Sequence, residues 1–162
     1  MNKIAVFPGS FDPFTLGHKN LMQRALPIFD RIIIMVGYNS SKNSFFDLDT
    51  RMSWIKKIFK DNPKVEITKY DGITVNFCKE SGARYILRGI RNATDLGYEK
   101  TIAQTNKMLN SEIETIFLLT PPEYTNVSSL IVRDILIHGG DASCFMPKEI
   151  SSQELKAGRN LF

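Results

Sequence analysis

The chain has 162 residues, of which 43% are hydrophobic and 23% charged, and its formal net charge at pH 7 is +4. This length predicts a single domain over residues 1–162 with a sizeable core, and the composition excludes a disordered or fibrous protein. Neither a signal-peptide pattern nor an apolar run of membrane-spanning length occurs, so we expect a cytoplasmic protein with no membrane partner.

The charge and the cysteines narrow the functional classes further. The net charge is mild, and lysine and arginine form no block, so an anionic small molecule fits at least as well as nucleic acid. Cys78 and Cys144 lack the spacing of a metal site. We therefore expect two free thiols in a reducing compartment.

The first thirty residues predict a strand, a glycine-rich loop and a helix. Lys3–Phe7 is a short apolar run typical of a buried strand, and Pro8–His18 contains two glycines and two prolines. From Asn20 to Phe29 apolar residues recur with helical spacing. Because a helix N-terminus attracts phosphate, this order predicts a phosphate site with His18 inside it. The competing interpretation is a capping or surface histidine, and the loop matches neither the Walker nor the Gly-x-Gly-x-x-Gly pattern.

Four more strands alternate with helices along the rest of the chain. The predicted strands are Arg31–Gly37, Val65–Tyr70, Tyr85–Arg88 and Thr115–Leu119. The predicted helices are Leu48–Lys60, Ile73–Ser81, Ala93–Leu109, one after Val127–Ser129, and a last one from about Pro147 to Gly158. Continuous apolar strands that are each followed by a helix predict a doubly wound, five-stranded parallel sheet of Rossmann-like type with a C-terminal helix.

Ligands of such sheets bind at the carboxyl ends of the strands, where the winding direction reverses. If the first and fourth strands are neighbours, the first loop faces Arg88, at the end of the fourth strand, and Arg91, just after it. Paired arginines at a strand end are suited to phosphate, although a solvated loop is the alternative. Asp95 and Glu99 share a helix face, and three interpretations of the pair are open. The pair is a solvated acidic edge, it orients the two arginines, or one carboxylate binds a ribose hydroxyl or an ordered water.

Two segments carry a resemblance to known enzymes. Residues 9–18, GSFDPFTLGH, resemble the signature of the nucleotidyltransferase superfamily with the [His/Thr]-x-Gly-His motif, here Thr15–His18. Residues 88–99, RGIRNATDLGYE, are similar to the corresponding segment of the phosphopantetheine adenylyltransferase family, and the likeness extends from the first strand to about Pro147. The resemblance implies a nucleotidyltransferase fold and AMP transfer from ATP to 4′-phosphopantetheine, which gives dephospho-coenzyme A and pyrophosphate. It also implies Mg²⁺ carried with ATP, no dedicated metal ligands and a homohexamer.

The resemblance further implies roles for individual residues. The catalytic residues would be His18, Lys42 and Arg91. The acceptor would be held by Ser10, Lys42, Thr74 and Arg88. ATP would be contacted by Ser10, Phe11, His18, Gly89, Ile90, Arg91, Glu99, Tyr124, Thr125, Asn126, Val127, Ser128, Ser129 and Leu130.

The sequence departs from the family pattern at two positions. Ser10 stands where the family often has threonine, and it keeps the hydroxyl. Leu130 stands where the family usually has serine or threonine, which removes a possible hydroxyl donor at the start of a helix. Ser128 is also a good N-cap, and helix capping is the alternative to an ATP contact.

Three other functions compete with this one. The first is another nucleotidyltransferase of the superfamily, with a mononucleotide or an alcohol phosphate as acceptor, and residues 88–99 argue against it. The second is a nucleotide-binding regulatory module that has lost activity. The presence of all four residues Thr15, His18, Lys42 and Arg91 argues against it. The third is a structural or nucleic-acid-binding protein, which the clustering of phosphate-directed groups at one predicted site disfavours.

Overall fold

A computed structural model describes residues 2–38 and 44–158. Its five strands form one parallel sheet in the order β3-β2-β1-β4-β5, so the predicted doubly wound sheet is confirmed. The strands are β1 Ile4–Gly9, β2 Arg31–Gly37, β3 Val65–Tyr70, β4 Tyr85–Ile90 and β5 Glu114–Leu119. β1 and β4 are neighbours, so the condition for the first loop to face Arg88 and Arg91 is met, and the winding direction reverses between these strands.

The helices follow the predicted order, and the largest differences in their bounds are in the first and the last helix. They are α1 Leu16–Ala25, α2 Leu48–Phe59, α3 Thr74–Ser81, α4 Ala93–Leu109, α5 Ser129–Ile137 and α6 Ser152–Ala157, and short 3-10 turns cover Pro122–Tyr124 and Ser143–Phe145. α1 ends at Ala25 rather than Phe29, because Pro27 has no backbone N–H to donate to the carbonyl of Gln23 and its ring clashes with that carbonyl. α6 begins at Ser152 rather than near Pro147, because Ser151 and Glu154 form a capping box there.

Both faces of the sheet are covered, as the continuous apolar strands predict. Along β2, Ile32, Ile34 and Val36 pack with the helices α1 and α2. Ile33 and Met35 point to the other face, where they pack with α3. Each such fully buried aliphatic side chain contributes about 1.5–3 kcal/mol relative to exposure, so these two layers hold the strand ends in place beneath the site.

A third apolar cluster lies beside the sheet and joins the C-terminal part of the chain to α2. Its buried members are Phe46, Trp54, Val132, Leu136, Ala142, Met146, Ile150 and Leu155. A partly buried ion pair between Lys19 Nζ and Glu149, at 2.6 Å, connects the same segment to α1. Within residues 2–38 and 44–158, no helix is both long and apolar enough to cross a membrane.

Candidate active site

The loop after β1 is held by hydrogen bonds to three other parts of the chain. The guanidinium of Arg51 on α2 donates to the carbonyl of Ser10, and Arg133 Nη1 on α5 donates to the carbonyl of Asp12 at 2.6 Å. The Asp12 carboxylate accepts the backbone N–H groups of Phe45 and Phe46, both at 2.8 Å. The position of the loop backbone is therefore set by contacts distant in sequence.

Phe11 has an unusual backbone conformation between these anchors. Its φ is 47°, in the left-handed region that residues other than glycine rarely occupy. The ring folds back over Gly9, where an added Cβ would lie only 2.8 Å from Phe11 Cζ. It also meets the imidazole of His18 edge-on, with the ring centroids 5.2 Å apart. Only glycine at position 9 leaves room for the Phe11 ring, which packs against His18.

His18 lies in the first turn of α1, and its ring orientation is fixed by Thr15. The backbone N–H of Thr15 donates to Nδ1 of His18 at 3.0 Å, and the Thr15 hydroxyl is 3.1 Å from the same nitrogen. Burial, followed by the charges of Arg88 and Arg91, lowers the pKa of His18 to about 4. The ring is therefore neutral at pH 7, and because Nδ1 accepts a hydrogen bond, the proton resides on Nε2.

Arg88 in β4 and Arg91 directly after it are each paired with a carboxylate of α4. Arg88 Nε donates to Glu99 Oε2 at 2.8 Å, its Nη2 donates to the other oxygen, and its Nη1 donates to the carbonyl of Pro8 at 2.6 Å. Arg91 Nε donates to Asp95 at 2.8 Å. Of the interpretations open for Asp95 and Glu99, orientation of the two arginines corresponds to the observed pairs.

The start of α5 approaches the same loop. The Ser128 hydroxyl accepts the N–H of Ile131 as an N-cap, and the Ser129 hydroxyl donates to the carbonyl of Pro13 at 2.7 Å. A Cβ added to Gly17 would come within 3.3 Å of the carbonyl oxygen of Val127, so glycine allows α1 and this segment to lie close together. The side chain of Leu130 is exposed.

Two cavities adjoin each other at this end of the sheet. The larger, of about 790 Å³, is lined by Thr74, Arg51 and apolar side chains that include Met35, Ile86 and Ile102. The smaller, of about 570 Å³, is lined by His18, Arg91 and the start of α5. Both cavities are lined by Pro8, Ser10, Arg88, Tyr98 and Glu99. Ser10 and the Arg88–Glu99 pair therefore form the boundary between two potential ligand sites.

The structure brings most of the predicted site residues to these cavities. Phe11, Gly89, Ser128, Ser129 and Leu130 line the smaller cavity. Five other predicted residues, although described, line neither cavity: Ile90, Tyr124, Thr125, Asn126 and Val127. Ile90 is buried within β4. Lys42 lies outside the described residues.

Sequence reasoning missed two arginines of the site. Arg133 lies one helical turn after Ser129, and this spacing could have pointed to a shared face of α5. Arg51 occupies a buried position on α2 one turn before Ile55. A charged residue at a position where the helical periodicity requires an apolar one was the available signal.

Comparison with known proteins shows the broad family to which the chain belongs. The model of the cytidylyltransferase-like family matches residues 6–135, so the chain belongs to that family. The fold is similar to a bifunctional NMN adenylyltransferase/ADP ribose pyrophosphatase from Francisella tularensis, with a TM-score of 0.70 and 18% identity over 90% of this chain and 45% of that one.

Relatives with higher sequence identity show the narrower family. The chain is 50% identical over 146 residues to the phosphopantetheine adenylyltransferase of Flavobacterium psychrophilum, which covers 90% of this chain and 96% of that protein. It is 46% identical over 150 residues to the enzyme of the same name from Cytophaga hutchinsonii, with 93% and 100% covered. The chain belongs to the phosphopantetheine adenylyltransferase family.

Proposed function

We propose that the protein transfers AMP from ATP to 4′-phosphopantetheine and releases dephospho-coenzyme A and pyrophosphate. The observation that carries this proposal is the pair of adjoining cavities with Ser10 at their boundary. A reaction between two bound phosphates needs two sites that meet at one point. The close relationship to phosphopantetheine adenylyltransferases supports the identity of the two ligands.

ATP would occupy the smaller cavity. The Nε2–H of His18, the guanidinium of Arg91 and the backbone N–H groups at the start of α5 are the donors available there for phosphate oxygens. Arg133, which lines the same cavity, adds a further positive charge. The predicted ATP contacts of Ser10, Phe11, Gly89, Glu99 and residues 128–130 belong to this proposal, because these residues line the same cavity. The contacts predicted for Ile90 and residues 124–127 stay predictions.

4′-Phosphopantetheine would occupy the larger cavity, with its phosphate at the shared boundary. Arg88 has five N–H donors, and within residues 2–38 and 44–158 three of them are used by Glu99 and Pro8, so the other two can donate to phosphate oxygens. Thr74 opens α3 at the edge of the cavity, where its backbone N–H is free of the intrahelical bonds and suited to an amide of the arm. We propose Lys42 as the second cation for this phosphate.

The chemistry would be a direct in-line displacement. An oxygen of the acceptor phosphate forms a bond to the α-phosphorus of ATP, and the bond from that phosphorus to the oxygen bridging to the β-phosphate breaks. The nucleophile is already an anion, so no general base is required. The site would act by positioning two polyanions and by stabilising the charge that develops on the α-phosphate, where neutral His18 donates through Nε2.

Mg²⁺ would enter with the ATP phosphates. Within the described part of the chain, no three His, Cys, Asp or Glu residues lie together as a metal cage. Asp95 and Glu99, the carboxylates of the smaller cavity, are already paired with arginines. This donor set does not fit a dedicated protein site, and Mg²⁺ commonly binds through substrate phosphates and water.

A coupled pyrophosphate assay tests the proposed function. Purified protein is given ATP and Mg²⁺ with 4′-phosphopantetheine, with pantetheine, or with nicotinamide mononucleotide. We expect pyrophosphate only with 4′-phosphopantetheine, because pantetheine lacks the nucleophilic phosphate. Turnover with the mononucleotide but not with 4′-phosphopantetheine contradicts the proposal.

We also propose a cytoplasmic homohexamer, in which the number of subunits rests on the family resemblance. Several large apolar side chains of α4 are exposed, among them Leu96, Met108 and Leu109 at 44%, 88% and 60%. Exposed apolar area of this kind is typical of a subunit interface. Light scattering coupled to size-exclusion chromatography measures the subunit number, and a monomeric mass contradicts this assembly.

A further inference from the structure

Arg51 is a buried arginine for which sequence reasoning gave no role. Its side chain extends from the first turn of α2, and only 3% of the residue is exposed. Burial lowers the pKa of its guanidinium, while the charges of Asp12 and Asp47 oppose that effect. A buried cation is costly unless its donors are used, so its hydrogen bonds indicate its purpose.

The partners of Arg51 are backbone carbonyls from three separate segments. Its Nη1 donates to Ser10 at the end of β1 and, at 3.3 Å, to Gly37 at the end of β2. Its Nε donates to Phe46 at 3.0 Å, directly before α2. One planar group thus fixes the carboxyl ends of two neighbouring strands relative to a helix N-terminus. These strand ends form the wall of the larger cavity, which Arg51, Ser10 and Gly37 all line.

We propose that Arg51 is a positioning residue for the acceptor half of the site. It sets the distance between the ends of β1 and β2, and thereby the shape of the cavity that receives the acceptor and the place of Ser10 at its boundary. This inference rests on the proposed function, because it assigns the larger cavity to the acceptor. Arg51 acts through backbone carbonyls rather than by participating in the reaction.

The neighbouring arginine provides a natural comparison. Arg133 holds the same loop two residues further along, at the carbonyl of Asp12, but it lines the smaller cavity and not the larger one. Arg51 lines the larger cavity and not the smaller one. If each arginine shapes its own side of the loop, their loss affects different ligands.

The experiment compares Arg51→Lys with Arg133→Lys. Lysine keeps the positive charge, but its single nitrogen cannot reproduce the planar donor group that reaches three carbonyls. Isothermal titration calorimetry measures the binding of ATP alone and of 4′-phosphopantetheine alone to each variant and to the wild type. Thermal unfolding of each protein is recorded alongside.

Arg51→Lys is expected to raise the Kd of 4′-phosphopantetheine by roughly 10- to 100-fold. The loss of one hydrogen bond made by a charged group changes an equilibrium constant by about this factor. The Kd of ATP is expected to stay within about threefold of the wild-type value, because a substitution that does not contact a ligand site usually changes binding there by no more than this. Arg133→Lys should show the reverse preference. In steady-state assays Arg51→Lys should raise the KM of the acceptor more than it lowers kcat.

A purely structural role for Arg51 would lower the affinity for both ligands together with the unfolding temperature. Equal losses for both ligands, or no loss for either, overturn the proposal. Arg51→Gln, which removes the charge but retains one donor group, repeats the test, and Arg51→Lys decides if Arg51→Gln does not fold. The proposed function fails separately, because wild-type protein that releases no pyrophosphate with 4′-phosphopantetheine refutes it whatever Arg51 does.

Discussion

Replacement of His18 by alanine tests the central element of the proposed mechanism. The imidazole donates through Nε2 because Nδ1 accepts the N–H of Thr15 at 3.0 Å. Its pKa of about 4 means that the ring of the free protein carries no positive charge at pH 7 that the variant would lose. The ground-state loss is therefore that of a neutral hydrogen bond, about 0.5–1.5 kcal/mol, or roughly 2- to 13-fold in the Kd of ATP.

The transition state should be affected much more strongly. Negative charge develops on the α-phosphate during displacement, and loss of one oriented donor to such a centre costs about 10²–10³ in rate, or roughly 2.7–4 kcal/mol. We therefore expect kcat of His18→Ala to fall about 10²- to 10³-fold, a far larger change than in the Kd of ATP. A charged histidine would instead weaken ATP binding and turnover together.

The assay combines steady-state pyrophosphate release with calorimetric binding of ATP. His138→Ala is the matched control, because this second histidine is exposed at the end of α5 and lines neither cavity. Its kcat should equal that of the wild type. Near wild-type turnover by His18→Ala refutes the assignment, and a loss of ATP affinity as large as the loss of kcat refutes the neutral ring.

Four further predictions follow from contacts around the site. Glu99→Gln should weaken 4′-phosphopantetheine binding roughly tenfold, because Arg88 loses its charged partner, whereas a selective loss of ATP affinity in calorimetry would favour a direct ATP contact. The pKa of His18 in the folded protein, about 4, lies below its ordinary value of 6.5. The contribution of neutral His18 to the free energy of unfolding is therefore complete above pH 6.5 and is lost as the pH falls toward 4. In denaturant unfolding, the free energy of unfolding should fall more steeply with acid for the wild type than for His18→Ala, and parallel curves contradict the shift. Gly9→Ala should cost about 1–3 kcal/mol of unfolding free energy, because the new methyl group overlaps the Phe11 ring, and unchanged stability with unchanged kcat contradicts the packing described. Leu130→Ser should tighten ATP binding about 2- to 10-fold if the new hydroxyl reaches a phosphate, and an unchanged Kd indicates that the helix backbone suffices there.

The fold could be predicted because its signals are local. Ile32–Val36 is apolar at every position, which indicates a strand buried on both faces, and the structure divides these residues between the two sides of the sheet. Where the predicted bounds were wrong, capping and proline chemistry decided the outcome. α1 stops before Pro27, and α6 begins at the capping box of Ser151 rather than at Pro147.

The site was only partly predictable, because sequence motifs identify residue types but not hydrogen-bond partners. His18 and Arg91 were found from the loop and the strand end, and both line one cavity. The pairing of Arg88 with Glu99 was one of several alternatives, and spacing alone could not choose among them. Arg51 was missed because its partners are carbonyls, which any residue supplies, so no pattern of side chains marks them.

The arginines Arg88 and Arg91 are neutralised by carboxylates of α4 before any ligand binds. Arg88 and Arg91 carry two positive charges, and Glu99 and Asp95 compensate both. The carboxylates hold the guanidinium groups in place before any ligand arrives, so little side-chain entropy remains to be lost on binding. Neutral His18 adds an oriented donor without adding charge to the ground state. Under the proposed function, we therefore expect the oriented donor of His18 to act mainly on the charge that forms during displacement, and the His18→Ala measurement tests this expectation.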